Sequence, residues 1–144
     1  MSSTHNILQE PAVAYAHTDD KGIYSLIRMI RQGVSFQSFM ELVKSTPFSM
    51  SEWASFLHIS DRTLHRYQKG NQLFDAPRSE KILQVAMLYK YGTDVFGSRE
   101  AFDTWLQSDI LSLGKVKPKS LLDSSFGISI LKDELSRIEH GIPA

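Results

Sequence analysis

The chain has no cysteine, no excess of charge of either sign and no long apolar run. Without cysteine it can form no disulfide, thiolate nucleophile, cysteine-ligated zinc site or iron–sulfur cluster. Its 16 basic and 16 acidic residues cancel, so a charged partner has to meet a local patch. No segment approaches the roughly 18 apolar residues of a membrane span, and no signal-peptide pattern opens the chain. We therefore expect a soluble, cytoplasmic protein.

What remains is the composition of an ordinary globular protein, with 42% hydrophobic and 22% charged residues. A chain of 144 residues forms one domain or two very small ones, which excludes a large multidomain enzyme. Residues 44–92 carry seven basic and four acidic side chains, a net charge of +3. Residues 1–43 carry three basic and four acidic side chains, and residues 93–144 carry six basic and eight acidic ones. The middle is thus the only basic part, although so small a difference also fits an ordinary solvated surface.

Apolar residues recur at intervals of three and four along most of the chain, which is the period of an amphipathic helix, and no period-two alternation competes with it. Capping and stop residues give the bounds of each helix. We predict an all-α fold with helices at 22–31, from Ser35 to Pro47, from about Met50, from Ser60 to Gly70, from Asp75 to Gly92, at 99–107 and at 125–140.

The segment Met50 to Lys69 has the pattern of a DNA-binding helix-turn-helix. That motif holds two helices at a fixed angle, which requires buried side chains at set positions. Counting Met50 as the first residue, apolar groups belong at the fourth, eighth, tenth, fifteenth and eighteenth positions, and a small residue belongs at the fifth. The sequence supplies Trp53, Leu57, Ile59, Leu64 and Tyr67, with Ala54 at the small position.

The ninth position of the motif, in the turn, usually adopts a left-handed conformation and is most often glycine, but here it is His58. Histidine tolerates positive φ better than β-branched residues do, so the turn is still expected. Ser60 is predicted to cap the second helix, Asp61 to favour its positive end and Gly70 to terminate it.

The exposed positions of this second helix are candidates for contacting DNA, because they offer hydroxyls and a carboxylate near its N-terminus and then cations suited to guanine edges or phosphates. A pair of short helices with a solvated face is the alternative interpretation. A single motif reads few base pairs, so we expect a homodimer that places two such helices about one DNA turn apart. The candidate DNA-binding residues are Ser60, Asp61, Arg62, Thr63, His65, Arg66 and Lys69.

The last third carries more apolar surface than a DNA-binding unit requires, which indicates a second binding function. It resembles the toxin-binding domain of the Xre/MbcA/ParS antitoxins, the partners of RES-domain toxins. The chain matches the family pattern, which runs Trp-Leu, Leu-Gly-Gly, Pro, Leu-Leu, Gly and a closing Leu, Ile-Glu, Gly. The one departure is the second glycine of Leu-Gly-Gly, which is Lys115 here. The matching residues are Trp105-Leu106, Leu113-Gly114, Pro118, Leu121-Leu122, Gly127, Leu135, Ile138-Glu139 and Gly141, preceded by Arg62-Thr63-Leu64 and Arg66.

The resemblance implies an inhibitor without catalytic activity. An antitoxin of this family is expected to occlude the active site of an NAD-degrading RES toxin and to repress its own operon. It implies an Xre-like DNA-binding and dimerisation region at 21–92 and a toxin-binding domain at 93–144, after a tail at 1–20 that is either disordered or an extra packing element. Expected toxin contacts are Lys115, Lys117, Arg137, Glu139, Gly141, Ile142, Pro143 and Ala144.

A structural role is expected for a further set in that domain: Trp105, Leu106, Gly114, Pro118 and Gly127. The five histidines form no pair at metal-ligand spacing and no glycine-rich loop could cradle phosphate, so we predict no metal, no cofactor and no enzymatic activity. Two alternatives remain open: a helix-turn-helix transcriptional regulator without a toxin partner, and a small enzyme. The second lacks a recognisable nucleophile motif.

Overall fold

The computed structural model describes residues 20–141, which fold into α-helices joined by short turns. This part of the chain contains no β-strand, only two isolated bridges, and none of its helices is long and apolar enough to cross a membrane. The prediction of an all-α fold is confirmed. The helices are α1 (Asp20–Gln32), α2 (Phe36–Lys44), α3 (Met50–Leu57), α4 (Asp61–Gly70), α5 (Ala76–Phe96), α6 (Arg99–Leu106) and α7 (Ser125–Glu139), with 3₁₀ turns at Leu111–Leu113 and Pro118–Leu121.

Serine side chains begin five of these helices. Each accepts a hydrogen bond from the backbone N–H three residues further on and so satisfies one of the unpaired donors of the first turn. At Ser49 the arrangement is a full capping box, because Glu52 also accepts from the backbone N–H of Ser49. The capping serines are Ser35, Ser49, Ser60, Ser98 and Ser124.

The predicted end of α5 at Gly92 is wrong. The helix continues to Phe96 and ends at Gly97, which has a φ of +83°. Gly92 lies inside the helix, where a Cβ would stand 2.1 Å from the Phe102 ring. Glycine is therefore required at this position for close packing of α6 and does not act as a stop signal.

The predicted stop at Gly70 is also displaced by one residue. Gly70 is the last residue of α4, and Asn71 takes the left-handed conformation with a φ of 46°. Asparagine is the residue after glycine that most readily adopts this conformation, so it replaces glycine as the helix terminator here.

The described chain divides into two compact units between Met87 and Leu88, within α5. The predicted tail at 1–20 lies outside the described residues except for Asp20, with which α1 begins, and the expected contacts Ile142 to Ala144 also lie outside. Each unit has a buried core of its own.

The core of the N-terminal unit is aromatic. Trp53 is fully buried, and its ring meets Phe39 edge-on with ring centroids 5.3 Å apart. Phe48 and Phe56 pack against the same indole in similar orientations. The indole N–H donates to Thr46 Oγ1 at 3.3 Å, so the one polar atom of the ring is satisfied inside the core. This cluster fixes α3 against α2 and so places the helix-turn-helix.

The core of the C-terminal unit is formed by α6, α7 and the chain between them. Phe102 and Leu106 of α6 are buried, as are Leu131 and Leu135 of α7. Gly127 permits the 3₁₀ turn at Pro118–Leu121 to lie against α7, because a Cβ at this position would stand 2.0 Å from the Leu121 carbonyl oxygen.

Candidate functional site

The helix-turn-helix predicted over 50–69 forms as α3 and α4, which are in contact. Of the five apolar positions, Trp53, Leu57 and Leu64 are buried, and Ile59 and Tyr67 are half-buried. Ala54, the small residue expected where the helices touch, is also buried and leaves no room for a larger side chain. The spacing in the sequence therefore corresponds to the packing of the two helices.

The turn between α3 and α4 has the left-handed conformation that the motif requires. His58 adopts a φ of 58° and a ψ of 40°, and the backbone N–H of the following residue, Ile59, donates to the Ala54 carbonyl at 3.1 Å. The His58 side chain is exposed. A residue with a Cβ holds this conformation at a cost of roughly 1–2 kcal/mol relative to glycine.

Replacing His58 with glycine is therefore expected to stabilise the helix-turn-helix. Glycine relieves the left-handed cost but adds conformational freedom to the unfolded chain, so the net gain is about 0.5–1 kcal/mol in the free energy of unfolding. Urea denaturation followed by circular dichroism measures this difference. His58→Ala, which keeps the Cβ, is the matched control and is expected to give no gain. A lower stability for His58→Gly would show that the imidazole itself is needed.

The exposed face of α4 carries the predicted DNA-reading side chains. Arg62, His65, Arg66 and Lys69 are all exposed, and their spacing of three and four places them on one side of the helix. Among the described residues, Arg62, His65 and Lys69 have no side-chain hydrogen bond or ion pair, and Arg66 has only a long contact, 3.5 Å, with Thr63 Oγ1. The charged groups of Arg62, Arg66 and Lys69 are thus available to an anionic partner.

The other three predicted readers have contacts within the protein. Ser60 Oγ accepts from the Thr63 backbone N–H and donates to Thr63 Oγ1, each at 3.0 Å. Asp61 Oδ2 accepts from Ser51 Oγ at 3.0 Å, which joins the first turn of α4 to the first turn of α3. Ser60, Asp61 and Thr63 therefore hold the helix-turn-helix in shape. The sequence analysis missed Ser51, because a contact between two exposed polar residues ten positions apart has no periodic signal.

In the C-terminal unit, residues 109–117 form a closed loop. The Ile110 N–H donates to the Val116 carbonyl at 3.1 Å, and the Lys115 N–H donates to the Ile110 carbonyl at 2.9 Å. Lys117 Nζ lies 3.1 Å from Asp109 Oδ1, so the expected toxin contact Lys117 forms an ion pair across the base of this loop.

The tip of this loop has the backbone geometry of two glycines. Gly114 has a φ of +86° and Lys115 has a φ of 62°. Lys115, which stands where the family pattern has its second glycine, therefore adopts the conformation of the residue that it replaces, at a backbone cost. Its side chain is exposed and has no ion pair among the described residues. The sequence departs from the family pattern at this position, but the backbone keeps the left-handed conformation that glycine favours.

Arg137, a second expected toxin contact, is held by a buried carboxylate. Glu134 is buried and accepts hydrogen bonds from Arg137 Nη2 and, at 2.8 Å, from Ser112 Oγ. Burial by itself would raise the pKa of Glu134, but the hydrogen bonds from Arg137 and Ser112 together outweigh burial and keep the pKa below its ordinary value. The ionised carboxylate thus ties the 109–117 loop to α7.

Glu139 is similarly engaged. Its Oε1 accepts a hydrogen bond from the Tyr91 hydroxyl at 2.7 Å, which joins the end of α7 to α5 within this unit. Burial, and then the hydrogen bond to the Glu139 carboxylate, raise the pKa of Tyr91 to about 12. The hydroxyl therefore stays protonated and donates throughout the neutral range. Beyond it, Gly141 is exposed with a φ of +67°.

The residues expected to be structural in this unit occupy its interior or its turns. Leu106 and Pro118 are buried, and Trp105 is half-buried, stacked on Phe102 with ring centroids 5.7 Å apart. Gly114 supplies the left-handed turn and Gly127 the close approach to Leu121.

Large apolar side chains are also exposed in this unit, and the three most exposed of them are Leu111, Phe126 and Ile130. Sequence analysis noted the excess of apolar residues in this region but did not identify which of them are exposed. The spacing of Phe126 and Ile130, on the face of α7 opposite Ile128, Leu131 and Leu135, could have shown these two.

Two family models match this chain. The antitoxin Xre-like helix-turn-helix domain matches residues 25–87, and the antitoxin Xre/MbcA/ParS C-terminal toxin-binding domain matches residues 92–141. Together they cover most of the chain, including α4 and α7 with the residues described above.

Individual proteins are similar as well. Antitoxin Xre of Photorhabdus laumondii is 32% identical over 85 residues, which are 58% of this chain and 57% of that protein. A Prs ADP-ribosylating antitoxin of a Sphingobium species is 25% identical over 124 residues, 80% of this chain and 78% of that protein. The match thus spans little more than half the length of the Photorhabdus relative. With both domains matched in order, the chain belongs to the Xre/MbcA/ParS antitoxin family, with an Xre-like helix-turn-helix domain followed by a C-terminal toxin-binding domain.

Proposed function

We propose that this protein is an antitoxin that binds DNA through α4 and neutralises a cognate RES-domain, NAD-degrading toxin by occluding its active site. It has no catalytic activity of its own and represses the operon that encodes it. The observation that carries this proposal is the presence, in one chain, of a helix-turn-helix with an exposed basic face and a domain that matches the toxin-binding family model.

The DNA-binding part of the proposal rests on charge and on preorganisation. Arg62, Arg66 and Lys69 present three cations on one face of α4, beside His65, where they can reach guanine edges or phosphates in the major groove. The contact between Ser51 and Asp61 and the Ser60 cap fix the helix that carries them. A homodimer would place two such helices one DNA turn apart and so reach useful affinity.

The toxin-binding part rests on the 109–117 loop and the end of α7. Lys115 remains the exposed charged candidate of this loop, whereas Lys117, Arg137 and Glu139 act first as internal partners. We assign 93–144 to toxin binding and 21–92 to DNA binding and dimerisation, and we keep Gly141 and Ile142 to Ala144 as further candidates for toxin contact.

Replacing both Arg62 and Arg66 with alanine is expected to weaken operator binding by at least about 30-fold, because each lost base or phosphate contact costs roughly 1–3 kcal/mol. The operator is taken as the DNA directly upstream of the gene, and binding is measured by fluorescence anisotropy at two salt concentrations. The dependence of affinity on salt should also become shallower, since fewer counterions are released.

The matched control is Lys44→Ala, which removes an exposed cation from α2 and is expected to leave operator affinity almost unchanged. Neutralisation of the toxin should survive the double substitution, because the altered residues lie outside 93–144. Loss of both activities in a folded variant would contradict the division of functions between the two segments.

Co-expression tests the function as a whole. When the adjacent gene encodes a RES-domain protein, expression of that protein alone should arrest growth and deplete NAD, and co-expression of this chain should restore both. The purified pair should form a stable complex. Operator binding without rescue would favour the alternative, a transcriptional regulator that has no toxin partner.

A further inference from the structure

Of the large apolar side chains that the C-terminal unit exposes, three are more exposed than Val116 and Ile138. Phe126 is 87% exposed, Leu111 75% and Ile130 47%. Together they display on the order of 400 Å² of apolar surface, which is the size of the largest patch on a typical monomer and is often functional. At about 25 cal/mol per Å², covering this surface provides a substantial driving force for association.

Two of these side chains, Phe126 and Ile130, belong to α7, and the third, Leu111, lies in the 3₁₀ turn Leu111–Leu113. Phe126 and Ile130 are four residues apart and therefore adjacent on the helix surface. One turn after Ile130 comes Glu134, whose carboxylate holds Ser112, the neighbour of Leu111. The loop that carries Leu111 is thus fixed beside α7 at Glu134, one turn beyond Ile130. We call Leu111, Phe126 and Ile130 the apolar patch.

The apolar patch is rigidly presented. Leu111 belongs to a loop closed by the backbone hydrogen bonds between Ile110 and Val116, by the Lys117–Asp109 ion pair and by Ser112 on Glu134. Phe126 and Ile130 project from a helix whose opposite face is buried in the core of the unit. An anchor held in this way loses little conformational entropy when it binds, which favours its use at the centre of an interface.

We propose that the apolar patch is the anchor by which this chain holds its toxin, with Leu111 and Phe126 entering an apolar recess on the toxin surface and Lys115 at the polar rim. This inference rests on the proposed function and names the contact surface within it. The partner is therefore a protein with a complementary apolar recess, and the charged residues near the patch position it.

A second copy of this chain is the less suitable occupant. A stable dimer buries about 800 Å² on each partner, roughly twice what the patch displays, and a two-fold dimer would have to fit projecting side chains against the same projecting side chains. All three residues also lie within 92–141, the range matched by the toxin-binding family model. The patch fits the centre of a larger interface with a different protein.

The test uses the full-length chain and the purified toxin encoded beside it. The double substitution Leu111→Ala and Phe126→Ala is expected to weaken toxin binding by about 100-fold or more in calorimetry. Thermal stability should stay the same or rise, and operator binding should not change. Ser129→Ala, an exposed position on the same helix, is the matched control, and Phe126→Ser is a second variant that tests the aromatic anchor alone.

The outcomes separate the inference from the function on which it rests. If the unaltered chain fails to bind the toxin, the proposed function is wrong. If the unaltered chain binds and both patch variants bind within about threefold of it, the inference is overturned while the function stands. Loss of self-association in sedimentation, with toxin affinity retained, would also overturn it by assigning the patch to a second copy of the chain.

Discussion

Replacing Trp53 with alanine is expected to lower the free energy of unfolding of the N-terminal unit by about 3–5 kcal/mol and to abolish operator binding. The indole is fully buried and packs edge-on against Phe39, Phe48 and Phe56. Alanine would remove all of these contacts and leave a cavity between α2 and α3. Typical domains have only 5–15 kcal/mol of stability, so this loss removes a large share of it and the variant should unfold at a clearly lower temperature and denaturant concentration.

Two milder substitutions show which property of Trp53 matters. Trp53→Phe retains an aromatic ring and is expected to cost clearly less than alanine, because only part of the volume is lost. Thr46→Val removes the acceptor of the indole N–H and is expected to cost about 1–3 kcal/mol, since it leaves a buried donor unpaired. Urea denaturation by circular dichroism and operator binding by anisotropy provide the measurements. An unchanged midpoint for Trp53→Ala would refute the assignment of Trp53 to the centre of this core.

Replacing Gly127 with alanine is expected to destabilise the C-terminal unit by about 3 kcal/mol and to abolish toxin neutralisation while operator binding persists. The new methyl group would stand 2.0 Å from the Leu121 carbonyl oxygen, so either α7 or the 3₁₀ turn at Pro118–Leu121 has to move. A backbone oxygen cannot rotate away as a side chain can, which places the cost at the upper end of overpacking.

Helix propensity alone predicts the opposite sign for this change in stability, so the measurement distinguishes the two effects. Gly127 lies within α7, where alanine would otherwise stabilise the helix by about 0.5–1 kcal/mol. Ser129→Ala, two residues further along at an exposed position, is the control and is expected to be neutral or slightly stabilising. Urea denaturation followed by circular dichroism measures the stability. Growth rescue reports on the C-terminal unit, and operator binding reports on the N-terminal unit. Equal stability of Gly127→Ala and the original chain would show that Leu121 does not pack against α7 as described.

The sequence predicted most of the fold because its signals are local. Ser49 and Glu52 form the capping box from residues three positions apart, and the left-handed turn at His58 follows from its place in the motif. Two helix ends were wrong for a common reason. Gly70 and Gly92 are each a glycine near the end of a helical pattern, which usually marks a helix terminus. Gly70 is followed by Asn71, which terminates α4 instead, and Gly92 packs against the Phe102 ring.

The candidate sites were less predictable, because they depend on which polar groups find partners across the fold. The sequence identifies Asp61, Arg137 and Glu139 only as charged residues. The structure shows that Ser51, Glu134 and Tyr91, respectively, hold their side chains. For the same reason the exposure of Leu111, which lies outside the regular helices, has no periodic signal in the sequence.

The sequence by itself determined the class of fold, the caps, the helix-turn-helix and the order of its two family domains, since each depends on spacing along the chain. Only the tertiary structure decided which charged side chains stay available and which are held internally. It also decided that Gly92 and Gly127 serve close packing and that an apolar surface remains uncovered on α7. Those properties depend on contacts between residues far apart in sequence, where distance and burial determine the free energy.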